Sequence, residues 1–331
     1  MRLSICVATC NRADVIGETL ASIIGQLTDG VELLVVDGAS TDATETVVQA
    51  LLAERGDCRY VRLPKRGGFD QDYSTAVELA RGEYCWLMTD DDVLKPQAVE
   101  RVIEGLSGDP DLLVANAEVA GPDLRTTLLE RKLDIEADRV FAPNRNADLL
   151  RVAGDLLTFI GAVVIRRKLW IARDPGRYFG TEFVHVGVIF QAPLGRALVV
   201  AEPLVRIRYG RAGWAMRAFE VWMVKWPRLV WGLPGIDNAA KEAVTPREPW
   251  RRTRPLVNMK AQGCYRLEEY RRWLRPLDMG ALTRLCLVAL AACPDALFGA
   301  VFSLLLPKLE RRDRTMMRFE LRQSRLRRRH S

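Results

Sequence analysis

The chain has 331 residues, 49% hydrophobic and 27% charged, which allows one large or two small domains with a substantial core. Its net charge of +7 is carried by residues 308–331, where ten Lys/Arg face three Asp/Glu; the remaining 39 basic and 39 acidic residues balance, which argues against a general nucleic-acid binder. Seven scattered cysteines without C-x-x-C spacing do not form a disulfide scaffold, and Met1 leads into an apolar run without a basic n-region or A-x-A site, so a reduced, cytosolic chain with core cysteines is expected.

Residues 1–120 alternate strand and helix signals. "RLSICVAT" precedes a helical pattern in "NRADVIGETLASIIGQL"; "VELLVVD" precedes "STDATETVVQALLAERG"; "CRYVRLP" precedes "DQDYSTAVELARG"; "EYCWLM" precedes "KPQAVERVIEGLSGDP"; "DLLVANAEV" follows. Short apolar strands separated by helices of about 10–15 residues imply βαβ units and a mainly parallel sheet. Ser40 or Thr41 is expected to cap the second helix, and Pro96 suits the first turn of the fourth. Further on, "LLTFIGAVVIRRKLW" reads as a strand entering a helix, "GRYFGTEFVHVGVIFQAPLG" as a loop then a helix, and "ALVVAEPLVRIRYG" as a pair of strands. From Trp214 onward lie six of the eight tryptophans, "WAMRAFEVWMVKWPRLVWGLPG" mixes aromatic and basic residues, and 285–306 is the most apolar run. The expected division is 1–120, 121–212 and a helical region 213–331 with an apolar hairpin (285–306) and a basic tail (308–331).

In an open parallel sheet, ligands bind outside the carboxyl ends of the strands. Here those ends are ordered and polar: Thr9, Asn11 and Arg12 after the first strand, Asp37 after the second, Asp70 after the third, and Asp90, Asp91 and Asp92 after the fourth. Like charges held close repel unless a cation or donors compensate. A hard ion such as Mg²⁺ or Mn²⁺ suits such oxygens and takes one or two carboxylates plus substrate phosphates. Neither G-x-x-x-x-G-K-[ST] nor G-x-G-x-x-G is present to cradle phosphate. The combination points to a metal-bound nucleotide diphosphate. Taken alone, three aspartates in a row are more often a turn or a helix cap; delivery by an apolar strand, with Asp37 ending another, favours the site.

"SICVATCNR", "ELLVVDGASTDAT" and "ARGEYCWLMTDDDVLKPQAV", in this order and spacing, resemble the nucleotide-sugar-binding half of glycosyltransferase family 2, and "DQDYSTAVELARGEYCWLMTDDD" with "GTEFVHVG" is similar to its abequosyltransferase-like subgroup. The resemblance is specific over about 1–120 and extends more loosely to about 215. It implies a GT-A fold, a nucleoside-diphosphate sugar donor, inversion at the anomeric carbon and a polyprenyl-linked or polysaccharide acceptor. By position, Thr9, Asn11 and Arg12 would line the base and ribose pocket, Asp37 would accept from the nucleobase, and Asp90 and Asp92 match a D-x-D pair, Asp90 nearer the ribose and Asp92 on the metal. Asp91 would contact sugar or metal, and Asp70 and Asp72 are weaker candidates for donor-sugar contacts. Where the family commonly has Pro-Thr-Tyr-Asn, this chain has Ala8-Thr9-Cys10-Asn11; a stacking surface is lost and the nucleobase is left open. Glu182 is the nearest match to the acceptor-side catalytic base. His185, three residues on, would share a helix face with it as metal ligand or orienter; the plainer alternative is a structural histidine beside a helix-start acid.

The 285–306 run is interrupted by Pro294 and Asp295, and a carboxylate at the bilayer centre costs about 2.5–3.5 kcal/mol. Each half is too short to cross. Paired interfacial helices, with the tail arginines and the aromatic 214–231 segment on anionic headgroups, are expected, as a peripheral or monotopic protein of the cytoplasmic membrane face. Buried helices, an oligomer contact and a true span are the alternatives. Two rival functions stand beside the transferase: a catalytically silent membrane-docking scaffold, and a sugar nucleotidyltransferase, which would need a glycine-rich basic phosphate loop that "VATCNRADV" does not provide.

Overall fold

The computed structural model describes residues 1–53, 55–210, 217–295, 298 and 315–323. The chain divides into two compact units, one of residues 1–208 and 232–244, the other of 209–231 and 245–331.

The first unit is built on one mixed sheet. In chain order its elements are β1 (Leu3–Thr9), α1 (Ile16–Ile24), β2 (Val31–Asp37), α2 (Thr44–Leu52), β3 (Cys58–Arg62), α3 (Phe69–Leu79), β4 (Tyr84–Met88), β5 (Val93–Leu94), α4 (Ala98–Leu106), β6 (Leu112–Ala120), β7 (Thr127–Leu129), β8 (Arg139–Phe141), α5 (Asn146–Ala153), β9 (Val163–Arg166), α6 (Arg167–Ile171), α7 (Val184–Phe190) and β10 (Ala197–Arg208). The strand order is β3-β2-β1-β4-β9-β6-β10-β5, with β7 on β6 and β8 on β10. β1 to β4 are parallel, as are β6 and β10, whereas β9 is antiparallel to both β4 and β6. Every residue of β2, β4, β6 and β9 is buried. Burial at both parities along a strand means that both faces of the sheet are covered, which is why these strands read as continuous apolar runs. Expected segments 1–120 and 121–212 thus share one sheet.

The strand-then-helix reading of 156–170 matches β9 and α6, and the loop-then-helix reading of 176–195 matches α7. Three local expectations are corrected. The segment 197–208 is one strand, not two: the register against β6 slips on either side of Pro203, whose missing N–H opens the ladder without ending it. Neither Ser40 nor Thr41 caps α2; Asp42 accepts the N–H of Thr44 at 3.0 Å instead, leaving Ser40 and Thr41 to bind the neighbouring turn. α4 starts at Ala98, after Gln97 in a left-handed conformation, so Pro96 lies outside it. All seven cysteines are free, but only Cys6 and Cys85 are buried, and Cys286 is exposed.

In the second unit, Phe219, Met223, Trp250, Tyr265, Tyr270 and Leu274 form a core, with Phe219 stacked on Tyr265 at 5.0 Å. The aromatic segment expected on a membrane plane contributes to burial: Met223, Val224 and Trp226 are buried, and Lys225 pairs with Glu220 at 3.2 Å. Asp295 is tied to buried Lys260 at 2.9 Å and to Arg266 at 3.1 Å. It therefore closes the end of the helix Ala281–Ala292 as a paired charge. Residues 296–297, 299–314 and 324–331, which hold most of the second half of the expected hairpin and most of the basic tail, lie outside the described residues. Among those described, no helix is long and apolar enough to cross a membrane.

Candidate active site

The carboxyl ends of β1, β2 and β4 carry turns stitched to one another through backbone groups. Asn11 is in a left-handed conformation, and its N–H donates to Ser40 Oγ at 2.9 Å. Its side-chain oxygen accepts the Thr41 N–H at 2.7 Å, and the Arg12 N–H donates to Thr44 Oγ1 at 2.8 Å. Asn11 thus holds the β1 turn against the β2 turn, and Arg12 is freed to reach Asp90, Nε to Oδ1 at 3.4 Å. Thr9 ends β1 buried, and its carbonyl accepts the Gly38 N–H at 2.8 Å.

Asp37 is fully buried; one oxygen accepts the Ser40 N–H at 2.8 Å and the other the Tyr60 hydroxyl at 2.6 Å. Burial, and then the bond to Asp37, hold the Tyr60 phenol protonated far above its ordinary range. On the first turn of α3, Asp72 accepts the Gly67 N–H at 3.1 Å, and burial raises its carboxyl. A Cβ at Gly38 would stand 2.6 Å from Asp72 Oδ2, so α3 and the β2 turn approach closely there and a side chain at 38 would displace the Asp72 carboxylate. Tyr73, next on α3, donates to the carbonyl of Met88 at 2.9 Å and ties the helix to the end of β4.

The three aspartates after β4 do not behave alike. Burial, then repulsion from Asp91, push the Asp90 carboxyl up to about 7, against the pull of Arg12. Asp92 is buried, accepting the Arg208 N–H at 2.6 Å and the Thr89 hydroxyl, and burial followed by Asp91 holds its carboxyl well above the usual range. Arg208, at the end of β10, wraps the turn: Nε donates to the Asp91 carbonyl at 2.8 Å, Nη1 to the Pro122 carbonyl at 3.0 Å and Nη2 to Glu18 at 2.9 Å. Burial raises the Cys10 thiol, Arg66 opposes the rise, and Asp37, Asp72 and Asp90 from three separate segments add to it.

Across α3 lies the turn that carries Glu182. Asp70, buried on the first turn of α3, accepts the Glu182 N–H at 2.9 Å on one oxygen and the Val184 N–H at 3.0 Å on the other. Burial lifts its carboxyl to about 6, and these N–H groups oppose the rise. Both oxygens serve the backbone of another segment, which is not the donor-sugar contact expected of Asp70. Glu182 has φ +70° and precedes α7 instead of lying on it, so it shares no helix face with His185. His185 is fully buried, with Nε2 2.8 Å from the Leu157 carbonyl. Burial pushes its pKa down to about 4. The expectation of His185 as metal ligand or catalytic partner is corrected accordingly: a neutral core imidazole, one nitrogen spent on a carbonyl, is the structural histidine.

Residues 4–168 match the model of glycosyl transferase family 2. The abequosyltransferase RfbV of Salmonella typhimurium is 26% identical over 225 residues, covering 63% of this chain and 67% of RfbV. The chain belongs to glycosyltransferase family 2. Solved structures agree in fold: Staphylococcus aureus TarS 1–349 in complex with UDP superposes with a TM-score of 0.59 at 18% identity, over 82% of this chain and 78% of that one. The mannosyltransferase PcManGT of Pyrobaculum calidifontis, in complex with GDP-Man and Mn²⁺, gives 0.54 at 17% identity over 98% and 86%. The mixed sheet is therefore a GT-A-like glycosyltransferase fold.

Among the described residues, no group of three or more His, Cys, Asp or Glu could hold a metal ion. Any ion here would need substrate phosphate to complete its ligands. Asp90 is raised to about 7 by burial and a neighbouring carboxylate, a cost that a hard cation relieves with one or two carboxylates and phosphate oxygens. The sequence marks Thr89 only as part of the polar end of the fourth strand, and it gives no signal for Tyr60, Tyr73 or Arg208. The tyrosines lie in runs that look like ordinary core, and Arg208 is 116 residues from the aspartate it holds.

Proposed function

We propose that this glycosyltransferase moves a sugar from a nucleoside-diphosphate donor to a lipid-linked or growing cell-surface glycan, with inversion and with Mg²⁺ or Mn²⁺. The observation that carries this reading is the meeting of polar strand-end turns at the sheet's carboxyl edge: Arg12 after β1 reaches Asp90 after β4 at 3.4 Å, Asn11 binds Ser40 after β2 at 2.9 Å, and Asp72 of α3 stands against Gly38. The UDP complex of TarS and the GDP-Man and Mn²⁺ complex of PcManGT support a nucleotide-sugar donor and a divalent ion, the abequosyltransferase RfbV supports sugar transfer, and the succinoglycan biosynthesis protein ExoO of Rhizobium meliloti supports a role in glycan assembly.

In this reading Thr9, Asn11, Arg12 and Asp37 receive the nucleoside, and Asp72 and Asp91 border the sugar. Asp90 and Asp92 are the residues that would hold the metal ion, whose chemistry is to stabilise negative charge on the departing diphosphate. Glu182 accepts the proton of the acceptor hydroxyl as that oxygen bonds to the anomeric carbon. The bond from that carbon to the phosphate oxygen breaks with its electron pair leaving on the nucleoside diphosphate, and a single displacement inverts the centre. In this reading the hydrogen bonds that hold the strand-end turns and the Glu182 turn would orient these groups before substrate arrives.

A lipid-linked acceptor calls for docking at a membrane surface. Leu282 and Leu285, 75% and 65% exposed, and the exposed Cys286 share one side of the helix Ala281–Ala292 and support such a contact.

The decisive test is nucleotide release from UDP-, GDP-, CDP- and dTDP-sugars in the presence of isolated bacterial membranes, with Mn²⁺-dependent nucleotide binding followed by calorimetry. Asp90→Asn should lose metal-dependent binding. Glu182→Gln should keep binding and lose turnover by about 100-fold or more. Undiminished transfer by both variants would remove this assignment of the site.

A further inference from the structure

We propose that Asp70 is a positioning residue for Glu182, a role that rests on the reading of Glu182 as the acceptor base. Two independent features lead to it. Glu182 is a non-glycine residue at φ +70°, two positions after Gly180 at +84°, in a conformation that a side-chain-bearing residue holds only when its surroundings enforce it. The enforcing group is the Asp70 carboxylate, 5% exposed, which takes the N–H of Glu182 and of Val184 at 2.9 and 3.0 Å. These are charge-assisted bonds in a site with little water, stronger than neutral ones. They span more than a hundred residues of sequence and grip the backbone on both sides of Phe183, so the Cα–Cβ direction of Glu182 is set by a helix that Glu182 does not belong to.

That helix is also the one that meets the nucleotide side. Two residues after Asp70, Asp72 reaches the Gly67 N–H and stands against Gly38, and Tyr73 holds the Met88 carbonyl before Asp90. The first turn of α3 thus joins the strand-end cleft to the Glu182 turn. Displacing a general base by about 1 Å is enough to cost on the order of 100-fold in rate while leaving donor binding alone. Asp70 touches neither substrate in this scheme; it acts through the backbone it holds.

The test uses the full chain and the donor giving fastest nucleotide release from the sugar-nucleotide panel, with bacterial membranes as acceptor. Asp70→Asn offers one acceptor oxygen in place of two and removes the charge. It should lower kcat by about 10- to 100-fold with donor KM changed less than about threefold, and amide hydrogen exchange across 180–186 should accelerate. Asp70→Glu, which keeps the charge, should recover part of kcat, and it serves in place of the Asn variant should that one not fold. The double variant Asp70→Asn/Glu182→Gln should be no slower than Glu182→Gln alone, because a misplaced base and an absent one cost the same step. Multiplicative losses in the double variant, or a parallel rise in donor KM, would mean a general structural role and overturn the inference. If Glu182→Gln is impaired and Asp70→Asn is not, the positioning role alone falls. If Glu182→Gln is fully active, the base assignment falls and the inference goes with it.

Discussion

At the scale of single residues, the acidic groups of this glycosyltransferase separate by partner. Asp37 and Asp70 are acids whose oxygens are already engaged, by Ser40 and Tyr60 in one case and by two backbone N–H groups in the other, whereas Asp90 meets Arg12 and a repelling Asp91. His185 shows the reverse outcome, a titratable side chain made inert by burial. Its pKa is pushed down to about 4, so the folded chain binds its proton more weakly than the unfolded one does. The contribution of His185 to stability should therefore be complete above about pH 6.5 and fall by roughly 3 kcal/mol as pH drops toward 4, against the opposite trend of the raised Asp70 and Asp90 carboxyls. The stability difference between His185→Gln and the parent chain, measured by denaturant midpoints over that window, should shift in favour of the variant as pH falls; a difference that does not change with pH would place the imidazole in contact with water. The acids could be named from the sequence because strand ends announce themselves as an apolar run meeting a polar turn. Their division of labour could not, because each partner is contributed by a different segment.

At the scale of elements, β9 is the piece that converts a parallel half-sheet into this fold, and it is held at its end by one guanidinium. Arg166, 4% exposed, donates to Glu83 at 2.7 Å and to the carbonyls of Asp109 and Pro110 at 2.9 and 3.2 Å, and lies 4.8 Å over the Tyr84 ring. Those acceptors come from β4's approach and from the turn before β6, the two strands that β9 separates. Arg166→Leu would strand buried carbonyls and should cost about 2–4 kcal/mol in equilibrium unfolding, with a loss under 1 kcal/mol showing that water replaces the bonds. β9 was visible in the sequence as a strand running into a helix. Its antiparallel insertion between β4 and β6 was not, since a four-residue apolar run carries no mark of its direction. The same limit explains 197–208: Pro203 looks like the break between two strands, and only the partner strand β6 carries the ladder across it.

At the scale of the whole molecule, the two units have different grounds for their sequence signals. In the second, the aromatic and apolar residues that suggested a membrane plane are divided: much of 214–231 enters a core around Phe219 and Tyr265, whereas Leu285 stays outside, beside Leu282 on one helix. On the reading that this helix docks on lipid, the full chain should cosediment with vesicles containing phosphatidylglycerol more than with phosphatidylcholine alone, and Leu282→Ser/Leu285→Ser should weaken both. Cosedimentation that is unchanged by those substitutions would leave the helix face without that role. The sequence by itself determined the class of the chain: the periodic alternation of strands and helices, the acids at strand ends, and a family pattern over its first half. These are local properties, written in neighbouring residues. Only the tertiary structure decided which donors and charges each acid meets, that His185 is core, that Asp295 is paired with Lys260, and that α3 binds the Glu182 backbone through Asp70. Each of these depends on atoms brought together from distant parts of the chain, where burial and hydrogen-bond partners, not residue type, set the charge and direction of a side chain.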